Sequence, residues 1–241
     1  MGTQIDLPSV ERRLAALGDR QYGVLTREQL TASGLSAHGI HERVRTSRLL
    51  RLHRGVYAIG HRQLRADGYR LAAVLACGPG AVLSHAGAAA LWGIRGSAAT
   101  VIDVTVPSQN GRASRNGIRV HRSGRLGAQD VTTKDGIPVT TVARTLLDLA
   151  DVLPEQALKR AVDESDYLRL FDLTALVAVA EANPGRRGAR LLKAAAEPPH
   201  LTRSELENRF LALCSRHRIP EPLTNLTLYG YEVDPSGPRP S

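Results

Sequence analysis

The chain has 241 residues, 42% of them hydrophobic, and carries a net charge of +9. That length fits two or three compact units better than one, with enough apolar side chains to build real cores. No run of 18 apolar residues occurs, and the start lacks a charged segment followed by an apolar one, so neither a membrane span nor a signal peptide is expected.

In chain order, residues 8–18 read as a first helix, with Val10, Leu14 and Leu17 at helical spacing. Thr26-Arg27-Glu28-Gln29 has the form of a capping box and opens a short second helix. Ser33-Gly34-Leu35 reads as a turn, with Gly34 free to take a positive φ. Ser36 can cap another short helix that turns Ile40 and Val44 inward and leaves His38, His41, Arg43 and Arg45 largely outward. Two short helices joined by a tight glycine turn make a helix-turn-helix. Residues 49–53 and 56–59 then alternate as a two-stranded hairpin turning at Arg54-Gly55, which is a wing. From Tyr69 the chain becomes apolar and alanine-rich. Helices are expected over 71–76 and from Ser84, with strands over 101–106, 118–121 and 137–141 and a helix over 142–150. Three more helices are expected over 154–170, 173–182 and 190–196, a further capping box starts at Thr202, and 226–233 reads as a hairpin near Gly230. The fold class is therefore α+β.

Charge is concentrated rather than spread. Residues 36–65 hold seven arginines against the single acid Glu42, so +6 of the +9 falls within thirty residues. Such a patch attracts phosphate, and arginine suits bidentate phosphate and guanine contacts. With the helix-turn-helix in the major groove, Ser36, Ala37, His38 and His41 approach base edges while Arg43, Arg45 and Arg48 grip phosphate. Arg51, His53 and Arg54 on the wing touch backbone or the adjacent minor groove. A small domain buries little, so two copies on one operator, a homodimer, are expected. His38 and His41 have no third ligand near, Ser84-His85 reads as a helix cap rather than a nucleophile and base, Trp92 as a core anchor, and the widely spaced Cys77 and Cys214 as buried thiols in a reducing cytoplasm. No metal or other cofactor is expected.

The span from Gly23-Val24-Leu25-Thr26 to Arg54-Gly55-Val56-Tyr57 resembles the N-terminal winged-helix domain of AbiEi-family antitoxins. The segment from Ser84-His85 through Leu91-Trp92-Gly93-Ile94, with Ile137-Pro138-Val139-Thr140-Thr141 and Arg144-Thr145-Leu146-Leu147-Asp148, resembles that family's downstream domain. The resemblance implies operator binding, repression of the protein's own operon and neutralisation of a nucleotidyltransferase toxin.

Residues 201–207 through 230–234 resemble the start of a Vsr-like endonuclease domain, a restriction-endonuclease-like fold, with Glu205 at the helical acid position and Asp234 at the first metal-binding position. The strand that would complete the magnesium site is absent, so both acids read as vestigial and no enzyme is expected. The proline-rich stretch that follows reads as a truncation or frameshift.

The expected organisation is a winged helix-turn-helix over 8–62, an AbiEi-like α+β domain over 67–150, a helical connector over 151–200, a truncated endonuclease segment over 201–234 and a disordered tail over 235–241. A plain winged-helix regulator without a toxin partner is the alternative, and a Vsr-like endonuclease the second.

Overall fold

The computed structural model describes residues 9–60, 63–96, 100–107, 117–196, 226–228 and 231–233. The chain divides into two units, residues 1–196 and 197–241.

The first sixty residues build three helices and a small sheet. Ser9 caps α1 (Val10–Arg20), its hydroxyl accepting from the Arg12 amide. Leu14 is buried on the inner face of α1. The capping box at Thr26 opens α2 (Arg27–Ala32) with both reciprocal hydrogen bonds in place. The turn that follows places Gly34 at φ +97°, a region open to glycine but strained for most side chains. Ser36 then caps α3 (Ala37–Arg45) through the Gly39 amide at 3.0 Å. The hairpin expected as a wing consists of β2 (Leu49–His53) and β3 (Val56–Ile59), paired antiparallel with a register shift between Arg51 and His53.

A strand that the sequence does not announce, β1 (Val24–Thr26), pairs with β3 and makes a three-stranded sheet. Three residues that also supply the α2 cap are too few to show strand alternation. Leu14, Leu25, Leu30, Leu35, Ile40, Leu49 and Tyr57 close this small core, an arrangement of winged-helix-like type.

The next part centres on a five-stranded mixed sheet of order β6-β5-β4-β8-β7. Its strands are β4 (Val82–Leu83), β5 (Ile102–Pro107), β6 (Ile118–Ser123), β7 (Val131–Lys134) and β8 (Ile137–Thr140). Strands β5 and β6 run parallel, in a register that pairs Val104 with Val120 and Thr105 with His121. Alternation puts Val104, Val106, Ile118 and Val120 on one face and Asp103, Thr105 and His121 on the other. The apolar face joins α4 (Ala66–Cys77) and part of α5 (His85–Trp92) in a core that also takes in Val24 and Val56 from the N-terminal sheet. The Tyr22 hydroxyl donates to the Asp135 carbonyl at 2.6 Å. The N-terminal part and the five-stranded sheet are thus packed as neighbours around one apolar core. Cys77 is buried in α4, and Cys214 lies outside the described residues.

Four helices follow: α6 (Val142–Val152), α7 (Glu155–Tyr167), α8 (Leu173–Ala182) and α9 (Arg187–Ala196). They share a core with Ala89 and Ile94 in which Leu146, Leu147, Leu149, Leu158, Leu176 and Leu192 are buried. The helical connector expected over 151–200 is therefore, through 196, a packed layer continuous with the sheet domain. The physical reason is that each helix carries a leucine- and alanine-rich face that has no sheet of its own to cover and buries it on α6. Contact at the start of α9 is close: a Cβ on Gly188 would meet the Leu147 carbonyl oxygen at 2.7 Å and Asp151 Oδ1 at 2.8 Å. Gly188→Ala should destabilise the protein by about 1–3 kcal/mol, read as a lowered urea midpoint.

In the second unit, β9 (Leu226–Leu228) and β10 (Tyr231–Val233) form an antiparallel pair. Glu205, Asp234, the helix expected from Thr202 and the tail over 235–241 lie outside the described residues.

Candidate nucleic-acid interface

Ile40 is the buried residue of α3, and its inward position turns the opposite side of the helix outward. Ser36, His38, His41 and Arg45 are exposed there. Arg48 follows, exposed, before β2, and Arg51 and Arg54 are exposed on the wing. His53 is half-buried. At the wing tip Gly55 takes φ +81°, and a Cβ there would meet nothing within 4 Å, so the tip is open to an incoming surface.

Two of the expected arginine contacts differ from one another. Arg45 pairs with Glu42 one turn away, Nη2 to Oε2 at 2.9 Å, with its side chain 66% exposed. Its hydrogen bond holds the Glu42 carboxyl below the usual range; burial opposes this, and His38 and His41 add to it. Exposed pairs of this kind contribute little and are readily exchanged for phosphate. Arg43 instead turns back toward α1, where it is ion-paired with Glu11 and only 22% exposed. The outward position expected for Arg43 is therefore replaced by a tie between α1 and α3. The i,i+3 acid Glu42 is visible in sequence, whereas Glu11 lies 32 residues away and becomes a partner only when the helices pack.

A residue absent from the sequence reading joins the patch. Arg27 is exposed at the start of α2, and its amide donates to the Gly55 carbonyl at the wing turn at 2.8 Å. With Arg51 and Arg54 it lines a cleft of about 770 Å³ whose far wall is the Gly78-Pro79-Gly80 loop. Nothing in the sequence marks it, because residues 1–35 carry equal numbers of arginines and acids.

A second polar cluster sits on the other face of the five-stranded sheet. Ser84 precedes α5 but makes no capping bond with its side chain. Instead its Oγ lies 3.0 Å from His85 Nδ1 and accepts from Thr105 Oγ1 at 2.8 Å. The expectation of a helix cap at Ser84 is corrected: the hydroxyl is fully buried under the sheet and bonds across it. His85 holds φ +48° and stacks on His121, centroids 3.7 Å apart, while His121 Nε2 meets Asp103 Oδ1 at 2.8 Å. Burial lowers the His85 pKa to about 4, against Asp148 and Asp103, which raise it; His121 and Arg186 lower it further. Beneath lies Arg144, which bonds Asp148, Asp130 and Ser123. Trp92 sits at the edge of both larger cores, its Nε1 donating to the Thr140 carbonyl at 2.9 Å.

Among the described residues no group of three or more histidines, cysteines or acids is placed to hold a metal ion. No described helix is long and apolar enough to cross a membrane.

Comparison with known proteins gives these arrangements a family. A search of solved structures finds the chain similar to the one reported as "Crystal structure of RV2827C protein from Mycobacterium tuberculosis", with 19% identity and a TM-score of 0.50. That match covers 87% of this chain and 82% of the other, and the likeness is one of fold. No curated protein matches the sequence. Residues 12–60 match the family described as "Transcriptional regulator, AbiEi antitoxin". Residues 80–194 match the "AbiEi antitoxin C-terminal domain", so the second match takes in the sheet and the four helices after it. Both matches stop short of the segment expected to resemble an endonuclease. With the two domains in this order over more than half of its length, the chain belongs to the AbiEi antitoxin family.

Proposed function

We propose that the protein is a transcriptional regulator of the antitoxin type that binds double-stranded operator DNA as a homodimer through α3 and the wing. The observation that carries this reading is the exposure of Arg48, Arg51 and Arg54 on the stretch and hairpin that follow α3, within the segment that holds +6 of the net charge. The N-termini of recognition helices present their first residues to base edges, which gives Ser36, His38 and His41 that role. Arg45, Arg48, Arg51 and Arg54, with Arg27 added, supply phosphate contacts, and half-buried His53 supports the wing. Arg43 acts mainly by holding α3 on α1. Its operator lies in its own promoter, and the domain over residues 80–194 counteracts a nucleotidyltransferase toxin.

Five phosphate contacts give a slope of log K against log salt of roughly −5. The double variant Arg51→Ala/Arg54→Ala should weaken binding to every duplex and make that slope shallower by about 2 in a fluorescence anisotropy titration. An unchanged slope sinks the docking geometry. Arg43→Ala should leave the slope within about one unit of the parent and act chiefly on stability. Co-expression with the nucleotidyltransferase from the adjacent gene, with and without residues 80–194, tests the second part: growth should return only when that domain is present.

A further inference from the structure

We propose that the cavity beside the His85–His121 stack binds a phosphorylated ribose, either a free pentose phosphate or the sugar-phosphate part of a mononucleotide. The cavity measures about 400 Å³, in the range of small-molecule sites, and lies away from the arginines of the wing. His85, Arg122, Ser123, Asp148 and Arg186 are among the residues that line it.

One wall offers an acceptor. Arg144 Nε and Arg186 Nη2 both donate to Asp148 Oδ1 at 3.0 Å, while no donor among the described residues reaches Oδ2. The side chain is 1% exposed, so this oxygen has lost water without gaining a partner. A buried acceptor in a lined cavity favours a ligand that brings a hydroxyl. Carboxylates at the edge of nucleotide sites take ribose hydroxyls in this manner.

Beside Asp148 and the ion-paired Asp151, the lining offers donors. Ser123 Oγ already accepts from Arg144 Nη2 at 3.2 Å and from the Arg125 amide at 3.4 Å, which leaves its own hydrogen to give. The Ser84 hydroxyl accepts from Thr105 and lies 3.0 Å from His85 Nδ1; in the tautomer the proposal uses, it donates to that nitrogen and the ring proton sits on Nε2. Exposed Arg122 stands at the rim. A hydroxyl, an imidazole N–H and a guanidinium together form a donor set suited to a phosphate. Arg144 and Arg186 pair with Asp148, Asp130 and Asp151, two cations against three carboxylates, and Arg122 in the lining brings the balance to zero, so the phosphate is placed at the Arg122 side. Ser84 itself is fully buried and does not line the cavity, so the chemistry is binding rather than attack on the ligand. Strain at the φ of His85 accords with a functional position, since strained backbone collects at such sites.

Calorimetric titration of the full chain with ribose 5-phosphate, AMP and inorganic phosphate tests the proposal. At least one of the two sugar phosphates should bind tenfold or more tightly than inorganic phosphate. AMP tighter than ribose 5-phosphate identifies a nucleotide, and the reverse order a pentose phosphate. Arg122→Ala, on the surface, should weaken the preferred ligand tenfold or more with the melting temperature unchanged. Arg51→Ala/Arg54→Ala should bind it as the parent does, which separates the cavity from the DNA face. The proposal fails if neither sugar phosphate binds at millimolar concentration, if phosphate alone binds as well, if Arg122→Ala has no effect, or if the wing variant loses the ligand.

Discussion

Replacing Arg144 with leucine should lower the free energy of unfolding by about 3–5 kcal/mol, which for a domain of this size is a fall in Tm of roughly 6–20 °C. The side chain is 1% exposed and spends its donors on three partners: Asp148 Oδ1 at 3.0 Å, Asp130 Oδ2 at 3.0 Å and Ser123 Oγ at 3.2 Å. Removing the cation leaves Asp130 and Asp148, each also 1% exposed, with one fewer positive partner in a place water does not reach. An uncompensated buried charge costs far more than the pair itself contributes. Urea unfolding at pH 7 checks this. A loss below 1 kcal/mol at pH 7 would show that the network is not closed as described.

The second large effect concerns acid. His85 has its pKa lowered from 6.5 to about 4, with burial the first cause. In the unfolded chain the ring gains a proton near pH 6.5, whereas in the folded protein it stays neutral until about pH 4. Between those values the unfolded state binds more protons, so stability falls as pH is lowered through that window. The contribution is complete above pH 6.5 and amounts to about 3 kcal/mol lost by pH 4. Asp148, Asp103, His121 and Arg186 face the ring and enter the same balance. His85→Asn keeps a residue type that tolerates positive φ and removes the titration. The difference in urea midpoint between parent and variant should change across pH 6.5 to 4 in favour of the variant. A difference that stays constant over that range contradicts a neutral, buried His85.

The parts of the fold legible in sequence are those fixed by neighbours along the chain. Thr26 and Ser36 sit at caps because each side chain bonds an amide three residues on, and Gly34 and Gly55 mark turns because their positive φ favours glycine. The alternation over 49–59 sets the wing. The short β1 and β4 were not legible, since strands of three and two residues carry no periodicity and exist only through β3, β5 and β8.

For the candidate site the division is similar. The sequence by itself determined where the positive charge lies and that Ile40 turns inward, because composition and helical period need no tertiary information. Tertiary structure decided which of those arginines remain available: Glu11 takes Arg43, while Arg27 arrives beside Arg51 and Arg54. It also decided the polar centre. Sheet register and helix packing bury Asp103, Thr105, Arg144 and Asp148 and set His85 against His121, contacts between residues 36 apart that no local pattern encodes.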